Sequence, residues 1–190
     1  MKKSDHTKKK ILAASEELFM KKSISRVTVN EITEKAGVAK GTFYLYFDSK
    51  ETLVWQYLEE RLFNLNHIIK NLEIDGFSDE NIRKVITHIV SYAKKHKVIL
   101  RLMHQVNFFT FLGSKRMKDR HLNNWIEWTT IWLEKGKLEG ELSFSDPKFI
   151  AYFLVLSIHE VLEKVLLVEL PYSFDEAEDH LQGVVLKIIK

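Results

Sequence analysis

Lys40, Gly41, Thr42 and Tyr44 bring an ammonium, a missing side chain, a hydroxyl and a phenol into little more than one helical turn. No base or nucleophile accompanies them, so the set reads as recognition chemistry rather than catalysis. An ammonium meets phosphate oxygens, short donors meet base edges, and a glycine lets the backbone come close to a rigid surface. The DNA major groove admits one helix carrying such groups. Phe43 and Phe47 are spaced to face inward and hold that helix. A competing reading puts Phe43, Tyr44, Tyr46 and Phe47 all in a core and makes the segment a packing unit only.

Other chemistry is hard to assemble. His159-Glu-Val-Leu-Glu163 has the spacing of a zinc-protease helix, but Glu163 stands where a second histidine belongs. The eight histidines are scattered, and Cys is absent. There is no glycine-rich phosphate loop and no Gly-x-Ser-x-Gly elbow. The sequence therefore predicts no catalytic residue, no metal site and no cofactor. Glu160 and Glu163 lie among Val161, Leu162, Val165 and Leu166. One of them turned inward would favour a cationic ligand. Both on the wet face would be ordinary helix surface.

The elements that must position the recognition set are legible from caps and periodicity. Thr28-Val-Asn-Glu31 is a capping box, in which hydroxyl and carboxylate each satisfy an orphan backbone N–H. It opens a short helix with Val29, Ile32 and Ala36 inward. Gly37 follows as a left-handed C-cap, and a third short helix runs from Ala39 to Tyr46. An amphipathic helix over 5–21 precedes them, with Ile11, Leu12, Ser15, Leu18 and Phe19 along one stripe. Thr28 also stands where a helix N-terminus offers N–H groups to a phosphate. Asp48-Ser-Lys-Glu51 reads as a second capping box, opening a long helix to Asn71 and placing Lys50 at its start.

Beyond a break at Asp75-Gly76 and Ser78, helical patterns cover 79–95, 98–112 and 116–136. Gly136 to Gly140 reads as a connector. Asp146-Pro147 sets an N-cap with Pro at the first helical position, and Pro171 ends that helix near Leu170. Ser173-Phe-Asp-Glu176, another capping box, opens the last helix. Seven Gly and two Pro in 190 residues disfavour a turn-rich β architecture, and 45% apolar residues can fill a real core. Residues 1–50 hold eleven Lys/Arg against six Asp/Glu, whereas the rest hold eighteen against twenty. A basic first quarter suits a polyanion. No apolar run reaches about 18 residues and no apolar stretch follows the N-terminal lysines, so no membrane span or signal peptide is expected and a cytoplasmic location is.

The string AGVAKGTFYLYFDSKETL, from Ala36 to Leu53, resembles the recognition segment of the tetracycline-repressor (TetR) family, and the likeness extends over about residues 8–58. It implies an all-α fold of about nine helices. Residues 1–50 would form a three-helix helix-turn-helix DNA-binding domain, and residues 51–190 a helical ligand-binding and dimerisation domain. Carried over position by position, Thr28, Tyr44 and Lys50 would hold phosphates. Lys40, Thr42 and Tyr46 would approach bases or nearby backbone, with Gly41 allowing close approach. Ala39 departs from the Ser or Thr of many members, which removes a cap worth about 1 kcal/mol and puts a phosphate contact there in doubt.

In the body, Trp125, Trp128 and Trp132 fall on one helical face, and Phe108, Phe109 and Phe111 precede Gly113. Two readings stand. The face is core and interface, or part of it lines a cavity for an apolar or aromatic effector. For the second, the candidate lining residues are His104, Gln105, Asn107, Phe108, Phe111, Trp125, Trp128 and Glu160, with Glu127 nearby. The last two helices carry broad apolar faces, including Phe149, Phe153 and Leu156 on one and Leu181, Val184, Val185 and Ile188 on the other. Such faces suit a homodimer through a four-helix interface, and a twofold dimer predicts a palindromic operator on double-stranded DNA. The expected protein is a repressor released by a small molecule. A ligand-independent regulator or activator of the same fold, or a helical protein–protein adaptor, is the alternative.

Overall fold

The computed structural model describes residues 3–72, 74, 76–105 and 123–190, and among these every regular element is helical. In chain order they are α1 (Lys3–Lys21), a 3-10 turn (Ile24–Arg26), α2 (Val29–Ala36), α3 (Lys40–Tyr44), α4 (Lys50–Lys70), α5 (Asp79–Lys95), α6 (Lys97–Gln105), α7 (Asn123–Leu138), α8 (Pro147–Leu166) and α9 (Phe174–Ile189). That makes nine α-helices among the described residues.

Local chemistry explains most of the boundaries. Thr28 and Glu31 form both arms of the capping box that starts α2, and Gly37 ends it at φ 64°, ψ 39°. Ser173 and Glu176 do the same for α9, while Asp146 caps α8 ahead of Pro147. The start of α4 differs from the Asp48–Glu51 capping box expected. The cap is Ser49, in extended backbone, whose hydroxyl oxygen accepts from the Thr52 N–H at 3.0 Å. A serine that is already extended offers its oxygen one residue later, so the third helical position belongs to Thr52 and not to Glu51.

Two further boundaries move. Gly136 is inside α7 and not in a connector, because Leu142 packs so closely there that a Cβ on Gly136 would lie 2.5 Å from its Cδ1. At the end of α8, Val168 takes φ 59° and the Glu169 N–H turns back to the Lys164 carbonyl at 2.9 Å. The helix therefore stops at Leu166, short of the Leu170 expected.

Two apolar clusters organise the chain. The first is built on Ile11, Phe19, Ile32, Phe43 and Phe47, and it is completed by Leu53 and Leu58 of α4 and by Val98, Ile99, Leu102 and Met103 of α6. The helix-turn-helix therefore closes its core with side chains from well beyond residue 50. The second cluster joins α5, α7, α8 and α9 around Phe77, Ile82, Leu133, Leu162 and Ile189. Burying side chains of this size contributes roughly 1.5–3 kcal/mol each. α6 serves both clusters, since Leu100 points to the second.

The apolar faces of α8 and α9 divide between this core and the outside. Leu181 and Val185 are buried within the chain's own second cluster, so neither presents itself to a partner as expected. Leu156 and Ile188 are half-buried, whereas Phe149, Phe153 and Val184 are 66%, 46% and 52% exposed. α9 packs against α5 as well as α8, and that second neighbour is what draws Leu181 and Val185 inward. Among the described residues, no helix is long and apolar enough to cross a membrane.

Candidate nucleic-acid interface and body cavity

α3 is one and a half turns long and too short to stand alone. Phe43, fully buried, anchors it, with Phe47 beside it at a ring separation of 5.5 Å. Ala39 is the N-cap and makes no side-chain cap bond, as the missing hydroxyl requires. Behind the helix, Val38 donates its N–H to the Thr33 carbonyl and Gly37 to that of Glu34, which fixes the turn from α2. The outward face carries Lys40, Gly41, Tyr44 and Leu45, with Leu45 80% exposed. A Cβ placed on Gly41 would meet no atom of the chain within 4 Å. The fold has no need of a glycine there, and only something outside the chain would feel its absent side chain.

The remaining candidates flank this rod in different ways. Thr28 is exposed, but its hydroxyl already accepts from the Glu31 N–H and donates to the Glu31 carboxylate. Lys22 pairs with the same carboxylate, and together these bonds hold the Glu31 carboxyl down at about 2. Lys50 is half-buried and donates to the Val27 carbonyl at 2.7 Å, pinning the start of α4 to the start of α2. An ammonium has three donors, so this bond leaves capacity for a phosphate. Thr42 is half-buried. Tyr46 packs on the first cluster, which makes it a brace for the rod before it is a contact. Sequence reasoning passed over Leu45, because an apolar residue at a helix end reads as core. Its exposure suits a thymine methyl.

In the body, a cavity of about 160 Å³ lies beside the tryptophans, the second of the two readings left open by the sequence. Trp128 and Trp132 line it, stacked at 6.3 Å with 13° between their planes. Leu62 and Leu65 of α4, Ile86 and Ile89 of α5, Ile99 and Met103 of α6, and Leu154 and Ile158 of α8 complete most of the wall. Among the described residues, the polar side chains on the wall are few: Tyr92, Thr129 and His159. The Tyr92 hydroxyl donates to the Arg61 carbonyl at 2.7 Å, and burial pushes its pKa up to about 12.

Several expected lining residues do other work. Glu160 is exposed and lies 3.8 Å from Lys164, whereas Glu163 is the carboxylate turned inward. A one-turn-minus-one step along α8 decides between them, and only the neighbours of α8 say which side is wet. His104 is on the exposed side of α6 but its Nδ1 reaches Glu163 Oε1 at 2.7 Å. Gln105 accepts from the Ile24 N–H at 2.6 Å instead of facing a ligand. Glu127 is exposed. Asn107, Phe108, Phe109, Phe111 and the side chain of Trp125 lie outside the described residues. The aliphatic wall from α5 and α8 was missed, because nothing in a run of core residues marks which of them border a void.

Residues 11–56 match the family of bacterial regulatory proteins, tetR family. The chain is 32% identical over 97 residues to the HTH-type transcriptional regulator YvdT of Bacillus subtilis, covering 49% of this chain and 48% of that one. The chain spans about half the length of that relative and about a quarter of the next, the regulator YerO of the same organism. The fold is shared more widely. The fatty acid degradation regulator FadR from Bacillus halodurans superposes with a TM-score of 0.80 over 95% of this chain and 94% of that one, at 18% identity. FadR from Bacillus subtilis, solved in complex with stearoyl-CoA, does so at 0.76 over 95% and 98%, also at 18% identity. The capped α2, the tight glycine turn and the outward α3 all lie in the segment that matches the tetR family, and the helical body that carries them shares its fold with the two FadR structures.

Proposed function

We propose that the protein is a homodimeric repressor that leaves a palindromic operator when a small apolar or aromatic molecule enters the body cavity. The observation that carries this reading is the division of α3, with Phe43 buried and Lys40, Gly41 and Tyr44 turned out. In it, Lys40 and Thr42 approach base edges, Gly41 allows the backbone near, and Thr28, Tyr44 and Lys50 hold phosphates. The exposed Phe149, Phe153 and Val184 form the meeting face of two copies. That the Bacillus subtilis FadR neighbour was solved with stearoyl-CoA supports a ligand-holding body in this fold.

Release follows from linkage. A ligand that fills the cavity better in one spacing of the two readers shifts the dimer toward it. α4 and α6 each border the cavity and also complete the core of the helix-turn-helix, so they carry the shift. Selection of bound fragments from a random duplex pool, followed by titration with and without aromatic compounds, tests the whole reading. Twofold-symmetric fragments, a dimer in sedimentation and weaker binding with ligand are expected. Recovery of no preferred sequence sinks the DNA assignment, and a preferred sequence held equally with every compound favours a ligand-independent regulator.

A further inference from the structure

Glu163 is the one charged side chain that is buried among the described residues, at 5% exposure. Its Oε1 meets His104 Nδ1 at 2.7 Å and its Oε2 lies 3.3 Å from His159 Nε2. Neither partner is a permanent cation. Burial and the neighbouring His104 push the His159 pKa down to about 4, so that imidazole is neutral near pH 7. Lys164, next along the chain, directs its ammonium to Glu169 at 2.7 Å and Glu160 at 3.8 Å. Glu163 still acts on Lys164 through space, but among the described residues its carboxylate is paired with no Lys or Arg, and a carboxylate out of water gains most from a close counter-charge.

This corner adjoins the cavity, for His159 and Leu162 are both on the wall. Among the described residues, no Lys or Arg is on that wall. An anionic head group would find no partner among them, and a neutral molecule would leave the carboxylate as it is. A cation would meet a neutral imidazole backed by a negative charge. The cavity volume, about 160 Å³, is close to the roughly 150 Å³ that accepts a benzene-sized guest.

We propose that the effector is a small lipophilic amine, its ring against Trp128 and Trp132 and its protonated nitrogen at the His159–Glu163 corner. This rests on the reading of the cavity as the effector site and adds the charge that selects the effector. Benzylamine, toluene and benzoate carry one ring with a positive, absent or negative charge at neutral pH, and quenching of tryptophan fluorescence with calorimetry reads their binding to the full chain. Benzylamine should bind roughly tenfold or more tighter than toluene, with benzoate weakest. Glu163→Gln should bring benzylamine down to toluene while toluene itself still binds, which also shows that the variant is folded. Toluene binding as well as or better than benzylamine overturns the amine and leaves the apolar cavity standing. A preference for benzylamine that survives Glu163→Gln overturns it equally. Failure of all three to bind overturns the cavity as effector site and the amine with it. Should Glu163→Gln not fold, the ranking on the native chain decides.

Discussion

Ile24 and Gln105, 81 positions apart, are joined by a single hydrogen bond of 2.6 Å from the backbone N–H of the first to the side-chain oxygen of the second. Ile24 opens the 3-10 turn between α1 and α2, and Gln105 closes the described part of α6. On the same helix, Met103 two positions back and Ile99 six positions back line the cavity. The bond therefore ties reader to body at the helix that a ligand would touch. Gln105→Ala leaves a half-buried N–H unpaired and should lower stability by about 1 kcal/mol in urea melts. It should also shrink the change in DNA affinity caused by ligand while ligand affinity for the free protein stays the same. An undiminished ligand effect would show that coupling runs elsewhere, through α4.

Gly41 separates the needs of folding from those of binding. The chain has room for a methyl group there, and alanine is preferred over glycine in a helix by about 1 kcal/mol. Gly41→Ala should thus raise the melting midpoint or leave it unchanged, yet weaken operator binding at least tenfold. If the variant is both stable and fully active on DNA, the close approach assigned to this position is wrong.

Lys50 has two duties to test. Its ammonium is bonded to the Val27 carbonyl, so Lys50→Ala should lower stability by about 1 kcal/mol. Loss of a phosphate contact should also flatten the slope of log affinity against log salt by about 0.9. A stability loss with the salt slope intact would leave Lys50 as a clip between α2 and α4 and no more.

His159 makes stability depend on pH. Its pKa is about 4 in the folded chain against an ordinary value of 6.5, and burial is the main cause. As pH falls below 6.5, the unfolded chain takes up the proton first, so folding weakens through the window from 6.5 down to about 4. Above that window this group adds no slope. The full loss is at most about 3 kcal/mol. Urea midpoints at pH 7.5 and pH 5 should differ, and His159→Gln should narrow the gap. Equal gaps in both proteins would assign the acid sensitivity to other groups.

What the order of residues determined here is local. The Thr28–Glu31 and Ser173–Glu176 boxes, the Gly37 turn, the Asp146-Pro147 start and the outward set on α3 all rest on contacts a few residues apart, and these form wherever the chain is helical. The same locality misled at the start of α4, where Ser49 and Asp48 compete for one N-terminus. Only the tertiary structure decided which of Glu160 and Glu163 is buried, that Gln105 faces Ile24, and that Leu181 and Val185 are spent on the chain's own core. Periodicity states that a helix has an apolar side but not which helix will cover it. A void between α4, α5, α6, α7, α8 and α9 is a property of how far their side chains fail to fill shared space, and that depends on six surfaces meeting at once.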